Sequence, residues 1–162
     1  MADRDICLDY GNGMKTVVKK FDELSAKEIY EILKTRSEVF VVEQSCIYQD
    51  IDDKDYDSLH VFIEDGNRVV AYLRIYRKDE DTMQLGRVIS LKHGIGLGRM
   101  IMEEGIRQVR EKFDCKKIYI EAQCQAIGYY EKAGFKVCSG EFLEDGIPHV
   151  QMILDLESSK EK

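Results

Sequence analysis

Apolar residues recur along this chain with two periods, and their succession lays out the elements. Met14 to Phe21 alternates weakly and reads as a strand. Leu24-Ser25-Ala26-Lys27-Glu28-Ile29 then carries a capping box, with Ser25 as N-cap and Glu28 at the third helical position, and a hydrophobic staple between Leu24 and Ile29. A helix is expected from Ala26 to about Val39, with Ile29, Ile32 and Leu33 on its inner face. Gln44 to Asp57 is polar and acidic and reads as an irregular connection. Leu59 to Glu64 and Arg68 to Arg77 read as strands around Asp65-Gly66-Asn67, and Gln84 to Leu91 completes a three-strand antiparallel meander. After Gly98, Met102, Ile106, Val109 and Phe113 share one side of a predicted helix of about four turns. In Lys117 to Gln123, Ile118, Ile120 and Ala122 alternate with Tyr119, Glu121 and Gln123, as in a strand. A short helix from Gln125 to Ala133 is stopped by Gly134, suited to the left-handed C′ position, and Val137 to Ser139 and Val150 to Leu156 read as closing strands.

Between the meander and the long helix stands Gly94-Ile95-Gly96-Leu97-Gly98. Alternating glycines remove the Cβ atoms that would keep a diphosphate from the backbone, and the helix behind them offers free N–H groups and a positive dipole end. The spacing departs from the G-x-G-x-x-G of dinucleotide folds, because the third glycine comes one residue early. It also lacks the Gly-Lys-Ser/Thr ending of a Walker loop, since Arg99-Met100 follows Gly98. A glycine-rich turn without a ligand is the plainer alternative.

Composition narrows the function. A chain of 162 residues with 44% hydrophobic content suits one domain. Met1 to Gly13 is polar and reads as an extension outside the fold, residues 14–157 as the domain, and residues 158–162 as a polar tail. A formal charge of −7 argues against a nucleic-acid partner. Cys7, Cys46, Cys115, Cys124 and Cys138 form no C-x-x-C pair, which points to reduced thiols and a cytoplasmic location. Neither a membrane span nor a signal-peptide core is visible. Asp53-x-Asp55-x-Asp57, with Glu64 beyond it, mimics a calcium loop but has Ser58 where glycine is required, so it reads as a solvated acidic face. The histidines and cysteines show no zinc spacing, and no metal is expected.

The strand, the arm His93-Gly94-Ile95-Gly96-Leu97-Gly98, the helix, the next strand and Tyr129-Tyr130-Glu131-Lys132-Ala133-Gly134-Phe135 together resemble the GNAT superfamily of acyl-CoA-dependent N-acetyltransferases. His93 stands where that family has Arg or Gln, and Gln123, Ala126 and Tyr130 echo its later Asn-x-x-Ala-x-x-x-Tyr. Arg36 to Gln44, Tyr48-Gln49-Asp50-Ile51-Asp52, Gly86-Arg87-Val88 and Glu144 to His149 are similar to the ElaA-like branch. The resemblance implies the GNAT fold, a mixed α+β architecture whose twisted, mostly antiparallel sheet has about six to seven strands flanked by about four helices.

It also implies acetyl transfer from the cosubstrate acetyl-CoA to a primary amine of a small molecule or peptide, and it allows a homodimer. The cofactor contacts it implies are Val88, Ile89, His93, Gly94, Ile95, Gly96, Leu97, Gly98, Arg99, Gln123 and Tyr130. A backbone N–H near Val88 takes the oxyanion role, and Tyr130 is the acid for the leaving thiolate, with core packing as its plainer reading. Glu43, His60 and His149 are candidates for the amine side. For His60 a hydrogen-bonded strand position is the bland reading, and for His149 loop structure. The rival from another class is a catalytically idle acyl-CoA-binding sensor or partner-binding module.

Overall fold

The computed structural model describes residues 8–9, 13–91 and 95–157. Its sheet starts with four antiparallel neighbours, β1 (Leu8–Asp9), β2 (Met14–Lys20), β3 (Leu59–Asp65) and β4 (Arg68–Asp79). β5 (Thr82–Ser90) is antiparallel to β4, and β6 (Lys117–Gln123) is parallel to β5. β7 (Lys136–Val137), β8 (Phe142–Glu144) and β9 (Ile147–Asp155) complete it, with β9 against β6 and both short strands against β9. The six strands of seven residues or more make the expected mixed sheet, and the three short ones extend it. β1 falls within the segment read as an extension.

Three α-helices are described: α1 (Ala26–Arg36), α2 (Leu97–Lys112) and α3 (Ile127–Lys132). Ser25 Oγ accepts the Glu28 N–H at 3.1 Å and the Glu28 carboxylate accepts the Ser25 N–H at 2.8 Å, which satisfies two free donors at the start of α1. Past Arg36 the chain widens into a π-helix, Ser37–Glu43, closed by a bond from the Gln44 N–H to the Val39 carbonyl. This carries the first helical segment past Val39, where the sequence pattern ended it. Gly134 has a φ of 102 and follows α3 as predicted. Three tight hairpins set register: Asp65 pairs with Arg68 across Gly66-Asn67, Asp79 with Thr82 across Glu80-Asp81, and Glu144 with Ile147 across Asp145-Gly146. Asp145 and Gly146 both have positive φ, 51 and 78, as a two-residue turn of the I′ kind requires.

Helices cover both faces. Val61, Ile63, Leu73, Ile75, Leu85 and Ile118 form a core with Leu97, Ile101 and Met102 of α2. Phe62, Val69, Tyr72 and Ile89 form a second core with Ile32 of α1. The buried stripe of α2 is Leu97, Ile101, Met102, Gly105 and Val109, whereas the predicted Ile106 and Phe113 are only half-buried. No helix among the described residues is long and apolar enough to cross a membrane.

Candidate active site

β5 and β6 stay paired only from Thr82–Lys117 to Gln84–Tyr119. Beyond that point β6 keeps β9 as far as Gln123–His149, and β5 keeps β4 as far as Ser90–Ala71, so the facing edges of β5 and β6 diverge. The cause lies in β5. Arg74 pairs with Gly86 and Tyr72 with Ile89, so Leu73 alone stands opposite both Arg87 and Val88. Arg87 enters the left-handed region at a φ of 54, and such a bulge bends its strand and increases the local twist. The result is a cleft of about 1710 Å³, with Leu85 to Leu91 on one wall and Ile120, Glu121 and Gln123 on the other.

The N-terminus of α2 lines the same cleft. Gly96, at a φ of 81, is its N-cap and contributes no capping side chain. The first helical bond runs from the Met100 N–H to the Gly96 carbonyl at 3.0 Å, which leaves the N–H groups of Leu97, Gly98 and Arg99 outside the helical ladder. A Cβ added at Gly96 meets nothing within 4 Å, so the space beside it is open. The Tyr129 hydroxyl donates to the Gly98 carbonyl and ties α3 to this first turn. Burial pushes the Tyr129 pKa up to about 12, so the phenol stays a neutral donor at physiological pH.

Of the predicted cofactor contacts, Val88, Ile89, Gly96, Leu97, Gly98, Arg99, Gln123 and Tyr130 line this one cleft. Ile95 is exposed and is not among the lining residues, and His93 and Gly94 lie outside the described residues. Tyr130 is buried, its ring edge-on to Tyr129 and Phe135 at 5.0 and 5.9 Å. Burial raises its pKa, chiefly by desolvation. Core packing and cleft lining are therefore both features of this side chain.

The candidates for the amine side divide. Glu43, delivered by the π-helix, and His149, on β9, line the cleft. His60 does not. It is buried in the core of the α1 face, where its Nε2–H donates to the Asp55 carbonyl at 2.9 Å and its Nδ1 accepts from the Tyr72 hydroxyl at 2.7 Å. Burial lowers its pKa and keeps it neutral, so the structure corrects the site reading of His60 to the strand reading.

The connection from Gln44 to Asp57 holds what the sequence pattern missed. Arg36, fully buried, reaches Asp50 through Nε at 3.1 Å and Asp55 through Nη1 at 2.7 Å. Arg74 grips Asp52 bidentately at 2.7 and 2.6 Å and also meets Asp55 at 3.1 Å. Arg87 donates to Asp50 Oδ1 at 2.8 Å. Asp53 and Asp57 are exposed, as a solvated face requires, but Asp55 between them is buried, and with Asp50 and Asp52 it neutralises the three arginines. The signal was present in Arg36, Asp50-Ile51-Asp52 and Arg87, which lie in the ElaA-like motifs, but their pairing is a fact of three dimensions.

A family model described as an acetyltransferase (GNAT) domain matches residues 20–156. The chain belongs to the GNAT acetyltransferase family. A UPF0039 protein from Schizosaccharomyces pombe is 36% identical over 90% of this chain and 99% of its own. Protein ElaA from Escherichia coli is 36% identical over 80% of this chain and 89% of its own. The ElaA crystal structure superposes with a TM-score of 0.83, at 32% identity over 88% of this chain and 99% of that one. An acyl-CoA N-acyltransferase from Pseudomonas aeruginosa superposes with a TM-score of 0.79, at 35% identity over 86% of this chain and 98% of that one.

Proposed function

We propose that this GNAT protein transfers an acetyl group directly from acetyl-CoA to the primary amine of a small molecule or peptide. The observation that carries the reading is the gap between β5 and β6, with unpaired strand edges inside it and the bare N-terminus of α2 on the same cleft. Acetyl-CoA would supply an activated thioester. The N–H groups of Leu97, Gly98 and Arg99 suit its diphosphate, and the open edge at Val88 and Ile89 suits the amides of its pantetheine arm. The Val88 N–H polarises the acyl carbonyl; loss of one such donor typically costs about 2.7 to 4 kcal/mol of barrier. Tyr130, a phenol that holds its proton at neutral pH and whose pKa burial raises further, gives its hydroxyl proton to the departing sulfur. On the opposite wall, the carboxylates of Glu43, Glu121 and Glu144 suit a cationic amine.

Calorimetric titration with acetyl-CoA and with CoA tests the cradle, and thiol release with a panel of primary amines tests the transfer. Saturable binding with thiol release is the expected result. Absence of binding to either ligand overturns the cradle. Binding without release across the panel replaces the transferase by an acyl-CoA-binding module.

A further inference from the structure

We propose that Nε2 of His149 takes the proton of the acceptor amine, with the Glu144 carboxylate stabilising the imidazolium that results; this rests on the transferase reading above. His149 sits directly opposite Gln123, and residues directly opposite in an antiparallel pair share one face of the sheet. That face is the one over which Gln44 of the acidic connection reaches the Gln123 amide at 3.2 Å. The next pair, Val150 and Ala122, points the other way, into the core that contains Tyr130. His149 and Tyr130 therefore flank the parted strands from opposite faces while lining one cleft. Direct transfer needs this division, because the amine approaches the acyl carbon from one side and sulfur leaves on another.

The ring is oriented for the task. The atom 2.7 Å from Nδ1 is the Ile147 carbonyl oxygen, which can only accept, so Nδ1 carries the hydrogen. In the neutral ring Nε2 then holds the lone pair, and it lies 3.6 Å from Glu144 Oε2. Phe142 stacks on the imidazole at 5.9 Å, and the Asp145-Gly146 turn fixes Glu144 against His149. The other charged groups near this pair are Glu121 on β6, Asp145 in the turn, Glu43 from the π-helix and Arg87 across the gap. Burial, with the charge of Glu121 adding to it, raises the pKa of Glu144, and the charges of His149 and Arg87 act the other way.

A cationic acceptor first releases one proton to solvent, which frees the lone pair. The nitrogen–carbon bond then forms, the carbon–sulfur bond breaks, His149 gains the remaining amine proton and Tyr130 gives one to sulfur. A proton passing through solvent from the imidazolium to the phenolate restores both residues.

The test combines imidazole 15N NMR of the wild type with thiol release, using spermidine and benzylamine as probes, for His149→Gln and Glu144→Gln. The expected results are an Nδ1–H tautomer at His149 and a fall in kcat/KM of about 100-fold or more in His149→Gln. Acetyl-CoA affinity should be unchanged in both variants, and Glu144→Gln should lower kcat more than it changes KM. An Nε2–H tautomer, or His149→Gln retaining the wild-type rate, overturns the base and leaves the transferase standing. Failure of the wild type to bind acetyl-CoA, or to release thiol with any amine of the panel, overturns the transferase reading and this base with it.

Discussion

Arg87 Nε donates to Asp50 Oδ1 across 2.8 Å, and this ties the residue that parts the sheet to the connection that covers it. Arg87 Nη2 also reaches the Asp50 carbonyl at 3.0 Å, so backbone and side chain of one aspartate hold one guanidinium. A non-glycine residue in the left-handed region persists only where its surroundings over-determine it, and here they are ionic. The same carboxylate accepts from Arg36, which is fully buried.

Asp50→Ala leaves the buried Arg36 and the bulge residue Arg87 without this partner. Arg36 keeps Asp55, but three arginines are left with two aspartates, and the net charge left uncompensated costs about 3 kcal/mol of folding stability. Urea unfolding of the variant checks it, and a loss below about 1 kcal/mol would show that the cluster is dispensable.

The cluster also sets an acid limit. Burial disfavours the ionised form of Asp52, but the hydrogen bonds and charge of Arg74 outweigh it and hold the carboxyl at about 2, below its ordinary 3.8. Asp55 is lowered too, with Arg36 and Arg74 overcoming its burial. A depressed carboxyl contributes stability that is present above the unfolded-state pKa and lost as pH falls through the folded value. Stability should therefore drop between about pH 4 and pH 2, and Asp52→Asn should make that drop shallower in acid titrations followed by circular dichroism.

Tyr130→Phe keeps the ring that packs against Tyr129 and Phe135 and removes only the hydroxyl. Turnover should fall by about 100-fold or more, with acetyl-CoA affinity preserved. Steady-state rates beside calorimetry decide this, and unchanged turnover takes Tyr130 out of the mechanism.

Gly96→Val places a branched side chain in open space at a φ of 81. The left-handed position costs a non-glycine residue about 1 to 2 kcal/mol, and the added methyls would enter the diphosphate path. Acetyl-CoA binding should be lost from a folded protein; normal affinity in the variant removes the arm from the cradle.

Gly105→Val tests packing away from the chemistry. A Cβ at Gly105 would stand 2.7 Å from Leu73 Cδ2, inside contact distance. Overpacking of this kind typically costs about 1 to 3 kcal/mol, which should appear as a lower urea midpoint.

Local signals carried much of the architecture. The Ser25–Glu28 box, the Asp65-Gly66-Asn67 turn and Gly134 are each decided by a few neighbouring residues, so a sequence pattern reads them directly. The π-helical turns after Arg36 were not legible, because a period of 3.6 does not describe them. On α2 the pattern finds Met102 and Val109, which are buried, and Ile106 and Phe113, which are only half-buried, but misses the buried Leu97 and Ile101. β8 escaped because Phe142–Glu144 is only three residues long, although Asp145-Gly146 was a usable hairpin signal. The burial of Asp55 depends on Arg36 and Arg74, 19 residues away on either side. For the site, the arm and Tyr130 were legible as motifs, while the placement of Gln123 beside His149 required the register of β6 on β9.

Because β5 and β6 share only three residue pairs, the sheet is two half-sheets sewn together by a short seam. A molecule lying along the open part of that seam would act as a stitch, and its occupancy would be written into the lifetime of the chain. At a concentration one hundred times its dissociation constant such a ligand adds about 2.7 kcal/mol to the folded state. Resistance to proteolysis would then rise and fall with acyl-CoA supply, whatever the rate of catalysis.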